Sequence, residues 1–200
     1  MSATIFGDER GTSQQPGIVS RHCLSAGPYY DPEKINFGPV IGIDEHLVQP
    51  GAGFDWHGHR GVHIVSWVLD GTLRHEDSHG EVCFVPPGVA LVQAAADGVR
   101  HTETNASEVD ALRFLQITIM SDAPAGVSQV ALPATVAGVR IDVRRRFPDT
   151  FPAVALVVRG EYAIEGDQRL GTGACRHLDR DDHLIYDAVS DDSAVLVLEF

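Results

Sequence analysis

Short runs in which apolar residues alternate with polar ones recur along the whole chain. Val62 and Ile64 with Val65, Trp67 and Leu69, then Val82 and Phe84, Leu112 and Phe114 on to Ile119, and Val154 to Val158 each fit a half-buried or buried strand. Turn chemistry separates them: Asp70-Gly71, His79-Gly80, Pro87-Gly88, Asp97-Gly98, Gly166-Asp167 and Asp181-Asp182. No stretch carries a sustained 3.6-residue apolar stripe with caps, so the pattern predicts an all-β chain with few, short helices. The small, polar segment Ser121–Gln129 follows an apolar run and predicts a linker, with strand-rich sequence on both sides. The expected organisation is a domain over 1–120, a linker over 121–129 and a second domain over 130–200, each a β-barrel or sandwich. Residues 1 to about 17 are expected to be partly flexible, and Ala194–Phe200 to form an ordered terminal strand.

Composition narrows the classes. A chain of 200 residues buries roughly 70% of its unfolded surface without needing staples. Three cysteines, Cys23, Cys83 and Cys175, are odd in number, far apart and outside any C-x-x-C spacing, which argues against a disulfide framework or a thiolate zinc site. Fifteen Lys and Arg against 28 Asp and Glu give a formal charge of −13, so a global attraction to nucleic-acid phosphates has no source. The local exception, Arg144-Arg145-Arg146 with Arg140, reads as a solvated strand face. The acidic N-terminal segment has no apolar core, and no run has membrane-spanning length, so the expectation is a soluble, cytoplasmic protein with no membrane partner. The Asn105-Ala106-Ser107 sequon is then without consequence.

The chemistry concentrates in two short motifs, His57-Gly58-His59 and His101-Thr102-Glu103. In a strand, residues i and i+2 share a face with Cα atoms roughly 6.6 Å apart, so each motif can aim two donors at one ion. Three imidazoles and a carboxylate suit iron, copper, nickel or zinc better than calcium or magnesium. His75-Glu76-Asp77-Ser78-His79 satisfies the zinc-protease spacing H-E-x-x-H, but Gly71 and Gly80 bracket it, and Asp77-Ser78-His79-Gly80 reads as a turn rather than a helix. In a strand its histidines would stand about 13 Å apart. His22, His46, His177 and His183 lack partners at metal spacing and read as surface or hydrogen-bonded structural residues. Asp179, Asp181, Asp182, Asp191 and Asp192 read as loop residues, and Trp56 and Trp67 as core.

Gly51, five residues on to His57-x-His59, and then Gly80, five residues on to Pro86-x-Gly88, resemble the two motifs of the cupin superfamily of small β-barrels. A more specific resemblance covers most of residues 21–119. Ser25 to Pro32 (SAGPYYDP), Pro50 to Phe54, His57 to Gly61, Val68 to Gly71, His75 to Ser78 and Gly98 to Glu103 resemble, in order, the pirin family and its bacterial quercetinase-like branch. That resemblance implies a bicupin, two tandem cupin barrels. One metal, usually iron(II), would sit in the first barrel on His57, His59, His101 and Glu103, and zinc, nickel, copper, manganese or cobalt are compatible with the same donors. The second barrel resembles its family counterpart by strand pattern and would be degenerate. The implied activity is oxidative ring opening of quercetin-like flavonols or related small aromatics by dioxygen, with Glu103 as ligand and proton acceptor. Some members of the family act instead as metal-dependent transcriptional cofactors, which offers a metal- or redox-sensing, protein-binding module as the alternative. Two departures bear on substrate. His63 stands where the family usually carries glutamate, which makes it a candidate neighbour of the ligands, or an alternative ligand, if the strand runs unbroken from His57. Leu91 to Ala96 (LVQAAA) replaces the family's Gln-Trp-Met-Thr-Ala-Gly stretch.

Overall fold

Dense turn signals and period-two patterning leave little room for helix, and among the described residues the expected few short helices do not occur. Every regular element is a strand. The computed structural model describes residues 4–5, 10–148, 152–164, 168–178 and 186–200. The expected turns at Gly166-Asp167 and Asp181-Asp182, together with Asp179 and His183, lie outside them. The chain divides into two compact units, Gly11–Leu132 and a second made of Met1–Arg10 with Pro133–Phe200.

The first strand, β1 (Thr4–Ile5), belongs to the second unit. The N-terminal unit contains β2 (Gly11–Gln15), β3 (Ile18–His22), β4 (Val40–Val48), β5 (Gly53–His59), β6 (Val62–Asp70), β7 (Leu73–Asp77), β8 (Val82–Val85), β9 (Val89–Ala94), β10 (Val99–Asn105), β11 (Leu112–Met120) and β12 (Gly126–Ala131). Seven of them form one antiparallel sheet in the order β12-β9-β6-β11-β4-β3-β2, and four form the other, β5-β10-β7-β8. The C-terminal unit adds β13 (Ala134–Val136), β14 (Val139–Arg144), β15 (Ala153–Arg159), β16 (Glu161–Ile164), β17 (Gln168–Gly171), β18 (Cys175–Leu178), β19 (Tyr186–Ala188) and β20 (Ala194–Glu199). Its sheets run β1-β18-β15-β20-β14-β13 and β17-β16-β19. Two sheets per unit, joined by tight turns, make the bicupin that the patterning and the resemblance together led one to expect.

Two boundaries differ from the sequence expectation. Gly126–Ala131, inside the expected linker, pairs with β9 from Gly126↔Ala94 to Ala131↔Val89, and Val127 packs against the core. Its small, polar composition disguises an edge strand with only two half-buried valines. Residues 11–17, expected to be flexible, form one arm and the turn of a hairpin with β3. Pro16 presets the first corner of that turn, and Gly17 adopts φ +74° at the second.

Each unit buries its own core. In the N-terminal unit Ile18, Val48, Val68, Leu73, Val85, Leu91, Leu112 and Phe114 pack together, and Val62, Ile64, Ala95 and Val99 form a smaller cluster. The C-terminal core gathers Val157, Tyr162, Leu170, Leu178, Val195 and Val197 among others. The arginine run there is ion-paired: Arg144 bonds Asp142 and Glu199, and Arg145 reaches Asp191. Cys23 and Cys175 are buried, Cys83 is half-buried, and none of the three forms a disulfide. The sequon residue Asn105 is also buried. It donates to the carbonyls of Val48, Gln49 and Asp110 and so ties two loops to the barrel. No helix among the described residues is long and apolar enough to cross a membrane.

Phe114 is fully buried between His46 and Phe54, with ring centroids 4.9 and 6.4 Å away. Phe114→Ala should cost about 3–5 kcal/mol, read as a lower urea midpoint at unchanged slope. Burial pushes the His46 imidazole from 6.5 down to about 4, outweighing the pull of Asp44. Its contribution to stability is complete above the unfolded value and falls away as pH drops toward the folded one, because only the unfolded chain takes up a proton there. Urea titrations in EDTA should lose about 3 kcal/mol through this one group across that window. His46→Leu should make the decline shallower by one proton's worth.

Candidate metal centre

Strand β10 supplies two inward side chains, His101 and Glu103, and its register against its neighbours decides what they meet. On one side His101 stands opposite His57 of β5. The ladder then shifts between His101 and Glu103, so Glu103 stands opposite Phe54 while Asp55 and Trp56 bulge outward. Gly53 permits this close pairing: a Cβ there would lie 2.5 Å from the Thr104 Cα and 2.7 Å from the Glu103 carbonyl oxygen. On the other side β7 places Asp77 opposite His101 and His75 opposite Glu103.

The result is a convergence of imidazoles. Nε2 of His57 and Nε2 of His101 are 2.9 Å apart, and the rings of His57, His59 and His101 have centroids 4.4–4.9 Å from one another. One donor atom from each of the three lies within 4.8 Å of the others. Nε2 of His59 and Nδ1 of His101 are buried without a hydrogen-bond partner, whereas the His57 ring is oriented by donating from Nδ1 to the Asp55 carbonyl at 2.7 Å. Burial, and then the neighbouring imidazoles of His57, His59 and His75, push His101 down to about 2. Burial and His57 also lower His59, although Glu103 pulls it the other way. The neutral imidazole is the form that ligates a metal. Orphaned, neutral nitrogens aimed at one point fit a divalent transition metal.

Glu103 is 1% exposed and held at both oxygens: Ser66 donates to Oε1 and Gln116 to Oε2, each at 2.6 Å. Each oxygen keeps a lone pair for a further partner. Its donor groups with those of His75 and His101, which are also buried. Ser66 and Gln116 stand opposite each other on β6 and β11, and Asp44 of β4 and His22 of β3 continue the row across the sheet. There His22 bonds Asp44 from Nδ1 and Ser13 at Nε2, at 2.7 and 2.8 Å, and Ser20 bonds His46 at 2.8 Å. Both histidines are hydrogen-bonded structural residues, as expected.

His63 is not part of this cluster. Strand β5 ends at His59, Gly61 turns the chain at φ +69°, and β6 begins in the other sheet, so the unbroken strand that would align His63 with His57 does not exist. Along β6, His63 also has the opposite parity to the inward-facing Ser66, so it faces away from Glu103. The His75–His79 segment is strand and then turn: Asp77 Oδ1 accepts from the amides of His79 and Glu81, and Gly80 closes onto the Asp77 carbonyl. Trp67 is buried as expected, but Trp56 lies on the bulge and is 43% exposed. The residues that sequence reasoning missed are His75, Ser66, Gln116 and Gln93. The parity of Leu73–Asp77 could have exposed His75, but nothing local could reveal its opposition to Glu103. Outside, an open cleft of about 330 Å³ reaches His59, lined also by Arg60, Ser78, Asp97 and Arg100. Among the described residues, the C-terminal unit brings no three metal-ligating side chains together.

The family model described as Pirin matches residues 7–119. Quercetin 2,3-dioxygenase of Escherichia coli K12 is 36% identical over 115 residues, 58% of this chain and 50% of that protein. The chain thus spans about half the length of the curated relatives it matches. Among solved structures, the bacterial pirin YhhW of Escherichia coli in complex with nickel(II) superposes with TM-score 0.85 at 24% identity, covering 100% of this chain and 99% of that one. A quercetin 2,3-dioxygenase from Acinetobacter baumannii gives 0.77 at 16% identity, covering 98% and 84%. These structural likenesses concern the fold.

Removing the clamp on Glu103 tests how far it is set by its neighbours. Ser66→Ala and Gln116→Leu should each weaken metal binding by about 10–100-fold while leaving the fold intact. Calorimetric titration of metal-stripped protein, with circular dichroism as the control, measures this.

Proposed function

The chain belongs to the pirin family, and on that premise we propose that its N-terminal barrel is a metal-dependent dioxygenase site for quercetin-like flavonols or related small enolic aromatics. His57, His59, His101 and Glu103 would hold the ion, iron(II) by preference. Bound there, the ion would supply the Lewis acidity that lowers the pKa of a coordinated hydroxyl and the redox capacity to engage dioxygen. The observation that carries the proposal is the convergence of three imidazoles beside a buried carboxylate, two of them, His59 and His101, with pKa lowered by burial and carrying orphaned nitrogens.

The chain's own groups divide the remaining work. Glu103 is the proton acceptor for the substrate hydroxyl, and Ser66 and Gln116 fix its carboxylate so that little reorganisation accompanies the transfer. Phe54 and the His57 ring, 6.2 Å apart, offer flat apolar surface to an aromatic substrate. Arg60 and Arg100 at the cleft beside His59 offer cationic donors for a phenolate oxygen. Dioxygen needs no dedicated charge.

An oxygen electrode tests the proposal. Iron-loaded protein should consume dioxygen on addition of quercetin, whereas metal-stripped protein and His101→Ala should not. Glu103→Gln should retain part of the metal but lose at least 100-fold in turnover, the usual scale for removing a general base. No uptake with iron, nickel, copper or cobalt would refute the activity.

A further inference from the structure

Beneath the three imidazoles lies a layer of polar side chains that the proposed reaction leaves unused. His75 is 0% exposed, and its ring centroid is 5.3 Å from that of His101, at 70°. It stands directly across the ladder from Glu103. One donor atom each from His75, His101 and Glu103 lies within 4.8 Å of the others, and all three residues are buried. Two imidazoles and one carboxylate form the donor set that elsewhere holds iron(II) on one face and leaves coordination positions open.

Unmet hydrogen bonding in the same layer points to a missing partner. Nδ1 of His75, Nδ1 of His101 and Oε1 of Gln93 are buried and unpartnered. What His75 does receive is weak: Nε2 of Gln93 lies 3.5 Å from its Nε2 and 3.4 Å from Asp77 Oδ2, at the long limit of such bonds. Gln93 is 1% exposed and sits in the Leu91–Ala96 stretch that departs from the family's pattern. Several polar groups left without good partners in one buried place are costly unless something fills it. A cation answers nitrogen lone pairs and a carboxylate together. A substrate hydroxyl could satisfy one acceptor but not the set.

We propose that His75 is a fifth donor of the metal centre, forming with His101 and Glu103 a deep seat for a divalent transition metal beneath the outer trio His57, His59 and His101. This rests on the proposal that the barrel binds metal at all. Gln93 positions the His75 ring, and the shared His101 links the two levels.

Cobalt(II) titration of metal-stripped protein, followed by its d–d absorption, separates the two ideas. If wild-type protein binds no cobalt, the metal proposal itself fails. If it binds, the deep seat predicts that the His57→Ala, His59→Ala double variant still takes up one cobalt, and that adding His75→Gln abolishes this uptake. His75→Gln alone should weaken binding about tenfold and change the spectrum. No uptake by the double variant, or uptake unaffected by His75→Gln, overturns the inference. A check that needs no variant is anomalous diffraction from cobalt-loaded wild-type crystals. The ion should lie about 2.1 Å from a His75 nitrogen, and an ion beyond bonding distance of both nitrogens overturns the inference.

Discussion

Strand β10 hydrogen-bonds to β5 on one side and β7 on the other, and the chemistry of the N-terminal barrel hangs on those two registers. Because side chains alternate with period two, a slip of one residue would turn His101 and Glu103 outward and bring the exposed Arg100 inward. Apolar groups on the same strands oppose the slip. Leu73 and Val85 on the β7–β8 arm, and Phe54 on β5, belong to or pack against the core cluster. The hydrophobic end of the barrel therefore holds the polar end in alignment, which is how a fold tolerates buried histidines that contribute little stability of their own.

How much of this was legible in the sequence depends on whether the information is local. Alternation and turn residues are local, and they revealed an all-β chain. The two-residue spacing of His57 with His59 and of His101 with Glu103 is also local, and it revealed their shared face. Which strand lies beside which is not local. His75 meets Glu103 only because β7 runs antiparallel beside β10, a pairing that nothing near it in sequence encodes. His63 is close to His59 in sequence, but the turn at Gly61 carries the chain into another sheet. Gly126–Ala131 escaped because an edge strand needs few apolar residues, and Trp56 because a bulge reverses the side to which an aromatic points.

The polar residues on the inner wall form an ordered lattice. Ser13, Ser20, Ser66 and Gln116 each give a hydrogen bond to a histidine or carboxylate that would otherwise be stranded. Short hydroxyls and amides on β-strands suit this role, since they reach one cross-strand neighbour and little else. Against that background of satisfied groups, the unpartnered nitrogens of His59, His75 and His101 stand apart. These nitrogens belong to the side chains whose donor atoms converge.

One feature of the other unit bears on how the chain assembles. Strand β1 pairs with β18, Thr4 against Arg176 and Ile5 against Cys175, with the whole N-terminal barrel between them in sequence. The loop closed by that pairing is the longest in the molecule's described ladder, and closure entropy disfavours it until most of the C-terminal sheet exists. A segment near the start of the polypeptide thus finds its place among the last, after an intervening domain has folded on its own. In the interval it is a short unpaired strand, able to pair with the same sheet of another copy.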